Sequence, residues 1–99
     1  MREITGQTKG PLNLTEDTRL RGQVVGDVTV AEGVELELRG QVVGDLNVDP
    51  KGIVYVHGMV TGNVNNRGRV TVEGMVIGSV STAEEAETNI LKGADVQGR

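Results

Sequence analysis

The feature that most narrows the fold is a string of eight residues that occurs twice without change. Residues 20–27 read Leu20-Arg21-Gly22-Gln23-Val24-Val25-Gly26-Asp27, and residues 38–45 repeat all eight. Looser copies are Val56-His57-Gly58-Met59-Val60-Thr61-Gly62-Asn63 and Val72-Glu73-Gly74-Met75-Val76-Ile77-Gly78-Ser79. A degraded first copy follows Ile4, as Thr5-Gly6-Gln7-Thr8-Lys9-Gly10-Pro11-Leu12. The unit is Gly-(Gln/Met)-x-x-Gly-x-(Val/Leu), and its leading glycines Gly6, Gly22, Gly40, Gly58 and Gly74 lie 16, 18, 18 and 16 residues apart. Copies that run in one direction at a near-fixed period stack on one another, as the turns of a solenoid do.

Within each copy the apolar residues alternate. Leu20, Val24, Val28 and Val30 share one parity, and Leu38, Val42, Leu46 and Val48 repeat the set. Period two marks strands with one buried face. Turn signals close each unit, at Ala31-Glu32-Gly33, Asp49-Pro50-Lys51-Gly52 and Asn65-Asn66-Arg67-Gly68. A sandwich would need hairpins and copies of opposite direction. The chain is therefore read as all-β, a short parallel β-helix (β-solenoid) of about five coils of 16–18 residues. The difference of two between coil lengths preserves parity, since a one-residue slip would turn every side chain inside out. Glycines at inward parity are read as corners where the chain bends toward the axis.

Composition fits this reading. Of 99 residues, fifteen are glycine, Tyr55 is the only aromatic, and cysteine is absent, so the core is aliphatic and carries no disulfide or thiolate metal site. The net charge of −4 argues against nucleic acid as a partner. No apolar run approaches the roughly 20 residues that span a bilayer. The start, Met1-Arg2-Glu3-Ile4-Thr5-Gly6, lacks the apolar stretch of a secretion signal, so a cytoplasmic location is expected.

The solenoid is assigned to residues 1–81, and residues 82–99 to a C-terminal cap or a decayed final coil. Thr82 precedes Glu85 by three residues, as in a capping box, so residues 82–92 suit a short capping helix ending at Gly93. Alternatively, Leu91-Lys92-Gly93-Ala94-Asp95-Val96 begins a sixth, decayed coil. A helical cap would discourage end-to-end growth, whereas bare end coils invite it.

Stacking lines the outward residues into ladders. One holds Arg21, Arg39, His57 and Glu73; a second holds Gln7, Gln23, Gln41, Met59 and Met75. Polar ladders of Asp27, Asp45, Asn63 and Ser79 and of Asn13, Thr29, Asn47, Asn65 and Ser81 suit a solvated face, although Asp27 beside Asp45 is a like-charge pair. Val25, Val43, Thr61 and Ile77, beside Met59 and Met75, form an outward apolar stripe that is either a lateral binding face or covered by the chain's own terminus. For self-association through the end coils the candidate residues are Leu12, Leu14, Val76 and Val80.

Nothing in the chain forms a catalytic constellation, and no enzyme activity, metal, cofactor or small-molecule substrate is expected. His57 is the single histidine and reads as a surface residue. Aliphatics recur every six residues from Val24 through Val30, Leu36, Val42, Val48, Val54 and Val60, as in hexapeptide acyltransferases, but no protruding loop accompanies a catalytic histidine. The calcium-binding nonapeptide pattern is absent, and so are Thr-x-Thr ladders of the ice-binding kind.

Leu38-Arg39-Gly40-Gln41-Val42-Val43-Gly44-Asp45-Leu46 and Val72-Glu73-Gly74-Met75-Val76-Ile77-Gly78-Ser79-Val80 resemble the core units of the bactofilins, small bacterial cytoskeletal proteins. The resemblance covers about residues 4–80. It implies a right-handed, three-faced β-helix that assembles end to end into nonpolar filaments without nucleotide and often serves as a membrane-associated scaffold. The expected partner is thus the chain itself, as a homo-oligomer or filament, with peripheral membrane association. A second reading is a capped, soluble solenoid whose partner is another protein, for example an immunity protein neutralising a toxin.

Overall fold

A computed structural model describes residues 2–98 as a three-faced parallel β-helix with principal extents of 30 × 25 × 20 Å. The first coil comprises β1 (Arg2–Ile4), β2 (Gln7–Lys9) and β3 (Leu12–Leu14); the second β4 (Thr18–Leu20), β5 (Gln23–Val25) and β6 (Val28–Val30). The third holds β7 (Glu35–Leu38), β8 (Gln41–Val43) and β9 (Leu46–Val48), and the fourth β10 (Ile53–Val56), β11 (Met59–Val60) and β12 (Val64–Asn66). The fifth holds β13 (Arg69–Val72), β14 (Met75–Val76) and β15 (Val80–Thr82), and β16 (Glu87–Ile90) and β17 (Asp95–Val96) begin a sixth. Every third strand stacks in parallel register, giving sheets β1-β4-β7-β10-β13-β16, β2-β5-β8-β11-β14-β17 and β3-β6-β9-β12-β15.

The alternation expected from sequence sets the core. Columns such as Val24, Val42, Val60 and Val76 are fully buried, and each rung pairs with its counterpart one coil away. Burying one such valine contributes about 1.5–3 kcal/mol, and β-branched side chains suit the pleated surface they stack on.

Residues 82–92 contain no helix. Residues 83–86 close a turn in which the Ala86 N–H donates to the Ala83 carbonyl at 3.0 Å, and β16 then pairs with β13 while β17 pairs with β14. The open edge of the fifth coil offers backbone partners at once, whereas a helix must first form an unfavourable nucleus. The sixth copy reads Ala94-Asp95-Val96-Gln97-Gly98, with alanine at the place of the leading glycine. An added turn makes room there, closed by the Ala94 N–H on the Leu91 carbonyl at 3.0 Å.

The glycines differ from expectation in what they avoid. A Cβ on Gly22, Gly40, Gly58 or Gly74 would not crowd the axis; it would overlap the backbone carbonyl oxygen of the glycine one coil back. The chain turns so tightly that corner backbones touch along the rod. At the second corner Gly44 also has φ +149°, a conformation that side chains resist.

The two-residue variation in coil length lies at the third corner. Residues 31–34 and 49–52 form hydrogen-bonded turns like that of 83–86, with Val34 N–H to Ala31 O at 3.1 Å and Gly52 N–H to Asp49 O at 2.9 Å. Between the fourth and fifth coils, residues 67–68 alone make the corner. There the Gly68 N–H donates to the Oδ1 of Asn66, a buried polar residue whose Nδ2 donates to the Glu87 carbonyl and to Thr88 Oγ1 at 2.8 Å each.

Because the Gly58 corner has backbone on the side where a Cβ would grow, Gly58→Ala is expected to destabilise the protein by about 2–4 kcal/mol. Gly33→Ala, at φ +76° with open space around it, is expected to cost only about 1 kcal/mol. Urea titrations of both variants compare the two, and equal losses would contradict the stacking argument.

Candidate assembly and binding surfaces

The lateral stripe lies on the second face. On β5, β8, β11 and β14 the buried valine of each strand is flanked by two outward residues. On one side run Gln7, Gln23, Gln41, Met59, Met75 and Asp95, paired rung to rung. On the other run Lys9, Val25 and Val43, followed by Thr61, Ile77 and Gln97. Val25 and Ile77 are 38% and 37% exposed, whereas Val43, Thr61, Met59 and Met75 are half-buried. The structure thus brings all six predicted residues onto one face. No described part of the C-terminal segment covers them, because that segment continues the rod along its axis. The stripe is bounded by Lys9 at one end and Gln97 at the other. The Gln23 amide donates to Gln41 Oε1 at 3.2 Å, so the second and third rungs of the neighbouring column are tied to each other.

The ends are built less evenly. Leu12 is half-buried and Leu14 fully buried on β3, the outermost strand of the third sheet, and Val80 is half-buried on β15 at its opposite edge. Val76 is not at an end. It is fully buried and pairs with Val96, because β17 adds a rung above it. The terminal rung exposes instead Ile90 and Leu91, at 38% and 41%. Sequence reading missed these residues, although Gly98 follows Gly78 by 20 residues and marks the extra coil. The third sheet receives no sixth strand among the described residues, so this end is stepped.

Charge is arranged along the rungs. The Asp27 and Asp45 stack is held by the backbone: Asp27 Oδ1 accepts the Asp45 N–H at 3.0 Å, Asp45 Oδ1 accepts the Asn63 N–H at 2.9 Å, and Asn63 Oδ1 accepts the Ser79 N–H at 2.9 Å. On the first face Glu37 lies between Arg19, at 3.4 Å, and Arg39, which donates to its Oε1. The Arg39 hydrogen bond above all, against the opposing effect of burial and helped by the charge of Arg19, holds the Glu37 carboxyl below the usual glutamate range. His57 Nδ1 lies 2.6 Å from Glu73 Oε2 on the next coil, a pair at the surface. No group of three or more metal-ligating side chains occurs among the described residues.

Two measurements probe these ladders. Asp45→Asn keeps the acceptor and removes a like charge, so it is expected to match or exceed wild-type stability, whereas Asp45→Ala is expected to lose about 1 kcal/mol; the reverse ranking would refute the ladder. Because the folded pKa of Glu37 is lowered, its contribution is full above the unfolded value of about 4.3 and disappears as pH falls through the folded value. Glu37→Gln is expected to lower the urea midpoint near neutrality and to converge on wild type in acid.

A family model described as "Bactofilin: Polymer-forming cytoskeletal" matches residues 4–99. No curated protein and no solved structure matches the chain.

Proposed function

The chain belongs to the bactofilin family of polymer-forming cytoskeletal proteins, and from that premise we propose that it is a non-enzymatic scaffold whose copies join through their end coils, without nucleotide. The observation that carries this reading is the set of open strand edges at the two ends. Among the described residues β1, β2 and β3 have no partner on one side, and β15, β16 and β17 none on the other. Unpaired edges template the addition of further strands. At the C-terminal end Ile90 and Leu91 add exposed apolar surface beside the edge, and at the N-terminal end Leu12 stands half-buried. Leu12, Leu14 and Val80 serve this contact as the end rungs of the third sheet, and Val76 supports it from one level below.

Among the described residues no helix is long and apolar enough to cross a membrane. The scaffold is assigned to the cytoplasm, with any membrane association peripheral. The Val25, Val43 and Ile77 stripe, with Thr61, Met59 and Met75, provides a flank that end-to-end stacking leaves free for a second protein.

Light scattering coupled to size exclusion, over a hundredfold concentration range and without added nucleotide, tests the assembly. Mass is expected to grow with concentration, with thin unbranched filaments in negative stain. The double substitution Ile90→Asp and Leu91→Asp is expected to return the protein to small species while the thermal midpoint stays near that of wild type. A sharp monomer of the wild type at every concentration would defeat the reading.

A further inference from the structure

The corner between the third and first faces is short at residues 15–17 of the first coil and again at residues 67–68, where a longer turn standing on each side leaves a recess. The turns of 49–52 and 83–86 stand out from the rod, and the corner between them is made by residues 67–68 alone. Adjacent rungs lie about 4.8 Å apart, so the two turns are separated by about 9.6 Å, the space of one extended chain. Cavities of about 500 Å³ and 340 Å³ open on either side of this recess, and Arg67 lines both.

The chemistry of the recess is specific. Arg69 is paired with Glu87 at 3.4 Å, but no ion pair among the described residues engages Arg67 or Lys51. Lys51 holds its place in the wall with φ +66°, where the preceding coil has Gly33 at φ +76°. On the side of the third face the lining is the amide and hydroxyl ladder of Asn47, Asn65 and Ser81. Asn65 Nδ2 donates to Asn47 Oδ1 at 2.8 Å, which orders those rungs. The opposite wall carries Glu85 beside the Arg69–Glu87 pair, and Asp49 lines the cavity on the third face. Of these groups Arg67 alone lines both cavities and suits one carboxylate, while Asp49 and Glu85 in the walls repel a polyanion, so nucleic acid and anionic bilayers fit poorly.

We propose that this recess binds a short extended segment of a partner protein carrying one Asp or Glu flanked by uncharged polar residues. The carboxylate meets the Arg67 fork, whose geometry accepts it bidentately, with Lys51 beside it. The neighbouring residues exchange hydrogen bonds with the Asn47, Asn65 and Ser81 rungs. The recess opens on the flank, and the Ser81 rung of its lining lies on β15, the end strand of the third sheet.

The test is a displayed library of random 12-residue peptides, selected on the full-length protein in whatever assembly state it adopts. Selected peptides are then synthesised and measured by fluorescence anisotropy. The expected winners carry an Asp or Glu among polar residues. Arg67→Gln weakens them at least tenfold, changing the peptide carboxylate to its amide does the same, and the two losses do not add. Arg67→Lys retains part of the affinity, and Val25→Asp, on another face, retains all of it. Arg67 is exposed, and a thermal melt checks that each variant is folded; if Arg67→Gln melts early, Arg67→Lys with the amide peptide carries the comparison. Four outcomes overturn the proposal: no winners, winners indifferent to Arg67, Arg67-dependent capture of phosphatidylglycerol vesicles, or loss of assembled mass in Arg67→Gln, which would make a second copy the occupant.

Discussion

The rest of the structure depends on how closely the corners of successive coils approach. At the first corner the N–H and carbonyl of Gly22, Gly40, Gly58 and Gly74 take part in bonding between coils: the Gln41 N–H donates to the Gly22 carbonyl at 3.0 Å, and the Met59 N–H to the Gly40 carbonyl at 3.0 Å. The parallel ladder therefore continues around the bend where many folds would leave backbone groups to water. Without a Cβ the two backbones come this close with no added residues; where Ala94 takes the glycine's place, an extra turn precedes it and the Asp95 N–H still reaches the Gly74 carbonyl at 3.0 Å. The glycine period thus fixes the places at which a coil turns, and the valine parity between glycines fixes which side of each strand faces the axis.

Much of this is legible without coordinates, because solenoid geometry repeats each rung in sequence. The ladders written from the alignment of copies, such as Gln23 with Gln41 and Thr29 with Asn47, are the rungs that pair. The C-terminal region was less legible, for a physical reason. Thr82 and Glu85 carry the chemistry of a helix start, and the same residue types flank the tight turn that precedes β16. Local propensity does not separate the two. The decision comes from the edges of β13 and β14, which are formed by residues far away in sequence. Likewise the direction in which a glycine lacks space is not written in its neighbours; it follows from the coil pitch.

The polar ladders show how a rod tolerates repetition of a charge. Identical residues stack when copies are identical, so Asp27 comes to lie beside Asp45. The like-charge cost is offset because each carboxylate accepts the N–H of the next coil, as an amide does one level higher at Asn63. The Glu37 site uses another solution, with arginines from its own strand end and from the coil below. In both cases the charge is matched to a partner at the rung spacing.

Positions that repeat in every coil are committed to architecture, since changing one disturbs its neighbours on both sides. Specific recognition must then come from places where the period breaks. This chain breaks it at its ends, where strand edges lack partners among the described residues and Ile90, on the rung of buried Val72, is exposed together with Leu91. It breaks it again at 67–68, where two residues fewer than in the preceding turn leave Arg67 between standing walls. The same two-residue economy that keeps strand parity also carves the recess, and Asn66, buried beside it and bonded to Glu87 and Thr88, ties the short corner to the final coil. Beside the backbone pairs of β16 and β17 with β13 and β14, this buried amide adds a side-chain tie between the recess corner and the last coil.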